Sequence, residues 1–182
     1  MIYSLKLETA LTIVGLWLLA IHGLALVKGP AVKAWLKTFP RSKALGTLLL
    51  VVATVWAWWL IATIDLGEFT DWRDRVKVII PVAAILTFLY VDEFLAPRAL
   101  GMIVLLAAEP LLEAAFMRPE MSRLFMVSLV YVWIGFALFW VGMPYTLRDQ
   151  ISWITASDSR WRLATFAGLA YGTLLVILPL SY

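Results

Sequence analysis

LAPRALGMIVLLAAEPLLEAAFM, residues 95–117, is apolar enough to enter a bilayer and yet carries Glu109 and Glu113. On an insertion scale each central Leu, Ile, Val or Phe gains roughly 0.3 to 0.6 kcal/mol, and a central charge costs roughly 2.5 to 3.5 kcal/mol. Residues 99–116 hold eight such apolar residues, worth about 2.4 to 4.8 kcal/mol, less than two charged carboxylates near the midplane would take away. A helix of this kind needs protein around it, with its acids turned inward. Helical spacing puts Glu109 and Glu113 one turn apart on one face, and Arg98 falls on nearly the same face. Pro110 has no N–H, so it is expected to free the carbonyl of Leu106, move Glu109 off helical dihedrals and kink the span.

The rest of the chain has the same character. It has 182 residues, 63% of them hydrophobic and 15% charged, with mean hydropathy +0.91 and ten Trp. Together with several apolar runs of about 20 residues, this excludes an ordinary soluble domain. There is no cysteine, which excludes disulfides, thiolate metal sites and thiol catalysis. The net charge of +3, with basic residues near the ends of apolar runs, suits a lipid bilayer with an anionic face and no nucleic acid. The first apolar run has no basic stretch before it and no small-residue cleavage site after it. It reads as a retained span, not a signal peptide.

The expected fold is an all-α integral membrane bundle of six transmembrane helices with two short interfacial amphipathic helices, forming a single polytopic domain over 1–182. The spans are expected at about 7–27, 44–64, 72–91, 98–117, 124–143 and 159–180. Between the first two, Val32, Trp35, Leu36 and Phe39 recur at helical spacing with Lys33 and Lys37 opposite, which predicts a flat helix over 31–39 bounded by Pro30 and Pro40. Trp56, Trp58 and Trp59 suit the headgroup boundary at the end of span two. Thr70 or Asp71 is expected to cap span three, which carries Pro81 and, in its first turns, Arg73, Arg75 and Lys77. Thr146 with Asp149 reads as a capping box for a second flat helix over 147–154, and Asp158 as the cap of span six. Ala164, Gly168 and Gly172, four apart, form a small-residue stripe that lets another helix approach, inside the bundle or between subunits.

Six spans place both termini on one side. The loops after spans one, three and five hold nine Lys or Arg, against six for the amino terminus and the other two loops. The positive-inside rule then puts both termini outside the cytoplasm, in what is expected to be a prokaryotic cytoplasmic (inner) membrane. Residues 40–46 (PRSKALG) and 97–101 (PRALG) echo each other at the entries of spans two and four. Such an echo is compatible with an internal repeat as well as with shared interface chemistry or chance.

Depth at about 1.5 Å per residue sets Glu109 roughly 10 Å and Glu113 roughly 5 Å below the end of their span. Ser128 and Tyr131 in span five and Thr173 in span six come to similar depths, and Lys77 lies near the same surface. The expected polar cluster is therefore Glu109, Glu113, Ser128, Tyr131 and Thr173, with Lys77 or Arg75 as counter-charge. Arg98 beside Asp92 and Glu93 reads as an ion pair at the opposite turn, or as part of a pathway. His22, the one histidine, reads as a packed, hydrogen-bonded side chain. No HxxH, HExxH or ExxH spacing exists, and no GxSxG, P-loop or Gly-rich dinucleotide turn, so neither a cofactor nor a metal is expected and an enzyme reading has no motif behind it.

Two readings follow. One is a structural or accessory subunit of a homo-oligomeric or larger membrane complex. The other is a small proton- or cation-linked transporter or permeation protein in which Glu109 titrates and Arg98, Tyr131 and Thr173 mark the route.

Overall fold

Runs of about 20 apolar residues must close all their backbone hydrogen bonds internally to enter lipid, and the helix is the single-segment solution. In the computed structural model, which describes residue 3, residues 5–91 and residues 93–181, every regular element is a helix. The order is α1 (Leu7–Val27), α2 (Gly29–Thr38), α3 (Lys43–Thr63), α4 (Arg73–Tyr90), α5 (Leu95–Ala115), α6 (Arg123–Gly142), α7 (Tyr145–Thr155) and α8 (Asp158–Ile177). Short 3-10 turns follow α2, precede α4 and follow α8.

Among the described residues, five helices are long and apolar enough to cross a membrane: α1, α3, α5, α6 and α8 with its trailing turn. This fits an integral membrane protein. The expected third span, α4, is not one of the five. Arg73, Asp74, Arg75 and Lys77 occupy its start, and the 13 uncharged residues that follow reach about 20 Å, short of the roughly 30 Å hydrocarbon core.

Helix α5 is the hub. It packs against α3, α6 and α1 and buries Leu95, Ala96, Pro97, Ala99, Gly101, Ala108, Leu111, Ala114 and Ala115. Most of these are Ala or Gly, the small residues that let helices approach closely where no hydrophobic force drives them together. At its far end they join a core of Leu7, Ala10, Leu11, Val14 and Leu18 from α1, Met126 and Val130 from α6, and Leu175 from α8. The echoed Ala-Leu-Gly triplets both lie at tight crossings. A Cβ on Gly46 would come within 2.8 Å of the Ala96 backbone, and one on Gly101 within 2.8 Å of the Ala137 carbonyl.

The small-residue stripe of α8 packs inside the chain, on α1. A Cβ on Gly172 would lie 3.0 Å from the Gly15 carbonyl, and one on Gly168 would overlap the His22 ring. His22 Nδ1 in turn lies 2.9 Å from the Leu18 carbonyl oxygen, within hydrogen-bond distance. Ala164 is half-buried. The short helices α2 and α7 lie side by side at the end of the bundle where α5 starts, over a cluster of Phe39, Ala96, Leu147 and Ile151.

Several terminal devices differ from the sequence expectation. Helix α4 starts after a 3-10 turn with no side-chain cap, because Thr70 Oγ1 donates to the Gly67 carbonyl. Helix α7 starts at Tyr145, so Thr146 lies inside it and donates to the Met143 carbonyl, while Asp149 pairs with Arg148. Asp158 is the first residue of α8 and pairs with Lys33 of α2 in place of capping. Helix α5 runs unbroken through Pro110, and α4 through Pro81, so Glu109 keeps its helical place. Side chains from other elements meet three helix ends instead. Trp161 Nε1 donates to the Ala25 carbonyl (3.2 Å), Arg73 Nη2 to that of Ile64 (2.6 Å) and Arg98 Nη1 to that of Val141 (3.2 Å). These carbonyls lie at the ends of α1, α3 and α6, where the helix supplies no donor.

Candidate functional site

Helix α5 presents one polar stripe. Glu109 and Glu113 follow Met102, Leu105 and Leu106 on the same face, because steps of three and four residues return to one side of a helix. Glu113 accepts a hydrogen bond from the Tyr3 backbone N–H (3.3 Å). It lines a cavity of about 290 Å³ with Tyr3, Leu5, Lys6, Phe116, Met117 and Arg118. Tyr3 is fixed from the other side, since its hydroxyl accepts from Trp56 Nε1 (2.7 Å) and its ring lies 5.6 Å from that of Trp59. Tyr3, Leu5 and Lys6 thus lie over the end of α5, and two cations, Lys6 from before α1 and Arg118 from after α5, line the cavity with Glu113.

Glu109 lies one turn deeper and is half-buried. Its charged neighbour is Glu113, and among the described residues no hydrogen bond or ion pair reaches it. The face it shares with Met102, Leu105 and Leu106 forms one wall of an apolar groove of about 350 Å³. Leu50, Ala53, Thr54 and Ala57 of α3 and Ile80, Ala83, Ala84 and Thr87 of α4 form the other walls. A second groove of about 340 Å³ runs along the other side of the α3–α4 seam. No protein-family model, no curated protein and no solved structure matches the chain. Its chemistry has to be read from these side chains.

The residues expected to gather around the acids lie apart. Ser128 donates to the Phe125 carbonyl (3.1 Å) and sits 3.4 Å from the Tyr171 hydroxyl, which itself donates to Phe125 (2.8 Å). Tyr131 is 62% exposed on the outer face of α6. Thr173 is exposed and donates to the Leu169 carbonyl of its own helix. Lys77 lies 3.6 Å from Asp74 on α4, and Arg75 sits over the Trp72 ring at 5.2 Å. At the opposite end Arg98 reaches α6, its Nε buried without a hydrogen-bond partner. Glu93 is exposed, and Asp92 lies outside the described residues. Among the described residues no three His, Asp or Glu side chains form a metal-ligand set.

Sequence reasoning missed Tyr3, Lys6 and Arg118 around Glu113, and Tyr171 beside Ser128. No periodic signal places a residue that lies ahead of the first helix. Tyr171 was open to a depth argument, since it lies two residues before Thr173, but only the rotation of α8 decides which of the two faces α6.

The arrangement has two chemical capacities. Glu113 and Glu109 form a two-step carboxyl ladder from a polar cavity toward an apolar groove. The groove, lined by small side chains and two threonines, has the make-up of a helix-packing surface in lipid.

Proposed function

We propose that this chain is a six-span protein of a prokaryotic cytoplasmic membrane, both termini outside the cytoplasm, and a structural or accessory subunit of a homo-oligomeric or larger membrane complex. The observation that carries the proposal is α4: none of its 18 residues is buried, and its Ala83, Ala84 and Thr87 line an open groove. As the third span, α4 is short for the bilayer and has four charged residues at its start. Snorkelling of Arg and Lys toward the interface and packing against a neighbouring subunit are the two devices that make such a span tolerable.

Purification from native membranes in mild detergent tests this. The expected result is a stoichiometric assembly, either of this chain with itself or with defined partner chains. A lone 20.5 kDa chain, both in detergent and after transfer to bilayer discs, would refute it.

A second reading rests on a specific observation: Glu109, without a hydrogen bond, lies one turn from Glu113 in its polar cavity. Under that reading the pair carries protons or a cation across part of the membrane. In reconstituted vesicles pH-driven flux should then fall in Glu109→Gln, and equal fluxes with an intact fold would remove this mechanism.

A further inference from the structure

We infer that the α3–α4–α5 groove is occupied by α4 of a second copy of this chain, with the partner's Lys77 meeting Glu109. The inference rests on the subunit reading and names the partner. Helix α4 ends at Tyr90 and α5 begins at Leu95, so the same end of the bundle serves as a common zero for both. Lys77 stands 13 residues from that end of α4 and Glu109 stands 14 from that end of α5, heights of about 20 and 21 Å. An acid without a hydrogen bond and a cation held only by an exposed carboxylate at 3.6 Å are therefore level, on the two helices that form facing walls of the groove.

A two-fold axis along the membrane normal keeps heights unchanged. It pairs Lys77 of each copy with Glu109 of the other, twice over, as an isologous contact requires. Lys77 precedes Ile80 by three residues and Ala84 by seven, so it shares the α4 face that lines the groove. The small side chains there, Ala83, Ala84 and Thr87, let two α4 helices approach closely. Below the membrane surface, an acid and a base that meet remove two expensive groups at once.

The chain has no cysteine, so a single introduced thiol can bridge only between chains. Ile80→Cys, Ala83→Cys and Thr87→Cys are oxidised one at a time in native membranes, with Leu89→Cys on the opposite face of α4 as the control. The inference expects self-dimers from the groove-face positions and none from Leu89→Cys. In the Ala83→Cys background, Lys77→Glu or Glu109→Lys should each lower dimer yield roughly tenfold, and the double exchange should restore it. A structural role for either residue alone would not produce that rescue.

Dimers without rescue would refute the Lys77–Glu109 contact. Groove-face thiols that bridge to a different chain would refute the second copy and leave the subunit reading standing. A monomer that forms no adduct, with lipid filling the groove, would overturn both.

Discussion

Helices α8 and α4 each lean along one main neighbour, and they do so in different ways. Helix α8 is sealed to α1: Gly172 meets Gly15 backbone to backbone, Gly168 carries the His22 ring, and buried Trp161 reaches across to the Ala25 carbonyl. Helix α4 lies along α3 with an open groove on each side and buries none of its residues. Helix α4 differs from α8 in its four charged residues, but these sit at its start and the 13 residues that follow are uncharged, so charge alone does not explain the open packing. The separation comes from small residues. On α8 they find their partner within the chain, whereas on α4 Ala83 is exposed and the half-buried Ala84 and Thr87 line a groove that stays open. In lipid, exposed apolar surface is not itself a signal, but small residues without a partner are.

Four substitutions probe this contrast. Gly15→Leu should do the most damage, because a Cβ there would sit 2.8 Å from the Gly172 carbonyl and 2.7 Å from Val176. Overpacking against backbone should cost about 3 kcal/mol, seen as a lower unfolding temperature in detergent. Gly135→Ala, where a Cβ meets nothing within 4 Å, should leave that temperature unchanged or slightly raised. Equal losses at the two positions would break the contrast on the α8 side.

Arg73→Met should come next. It removes the 2.6 Å hydrogen bond from the guanidinium to the Ile64 carbonyl, worth about 2 kcal/mol for a charged donor. The loss should appear as faster amide exchange in α4 with α1 and α8 unchanged. Uniform acceleration across the molecule would mean that α4 folds as one unit with the rest. A small effect on stability also belongs to Ala83→Leu, at an exposed position. It should hold the stability of the isolated chain within about 0.5 kcal/mol while lowering the mass of the assembly measured in bilayer discs.

The sequence carried much of the fold. Charges at the ends of apolar runs marked α1, α3, α5, α6 and α8 to within a few residues, and Pro30 with the Val32, Trp35, Leu36, Phe39 spacing marked α2. What it did not carry was rotation. Ser128, Tyr131 and Thr173 were placed beside the acids by depth alone, and depth along a helix says nothing about which way a side chain points. Capping went the same way: Thr70, Asp149 and Asp158 have the right types at the right spacing, yet Gly67, Arg148 and Lys33 compete for their oxygens or protons. The acids themselves were legible, because two glutamates in an apolar run have an energetic cost that any structure must answer. The structure answers it at Glu113, which accepts from the Tyr3 N–H, and leaves Glu109 without a hydrogen bond among the described residues.

The most direct test compares the two helices in a bilayer with one label each. A nitroxide on Ala83→Cys of α4 and one on Ala170→Cys of α8, both exposed alanines, are measured separately by pulsed dipolar spectroscopy in reconstituted vesicles at high lipid-to-protein ratio. A short, narrow distance between copies for the α4 label and only dilute background for the α8 label is the expected result. Background decay alone at both positions would contradict the claim that another subunit covers α4.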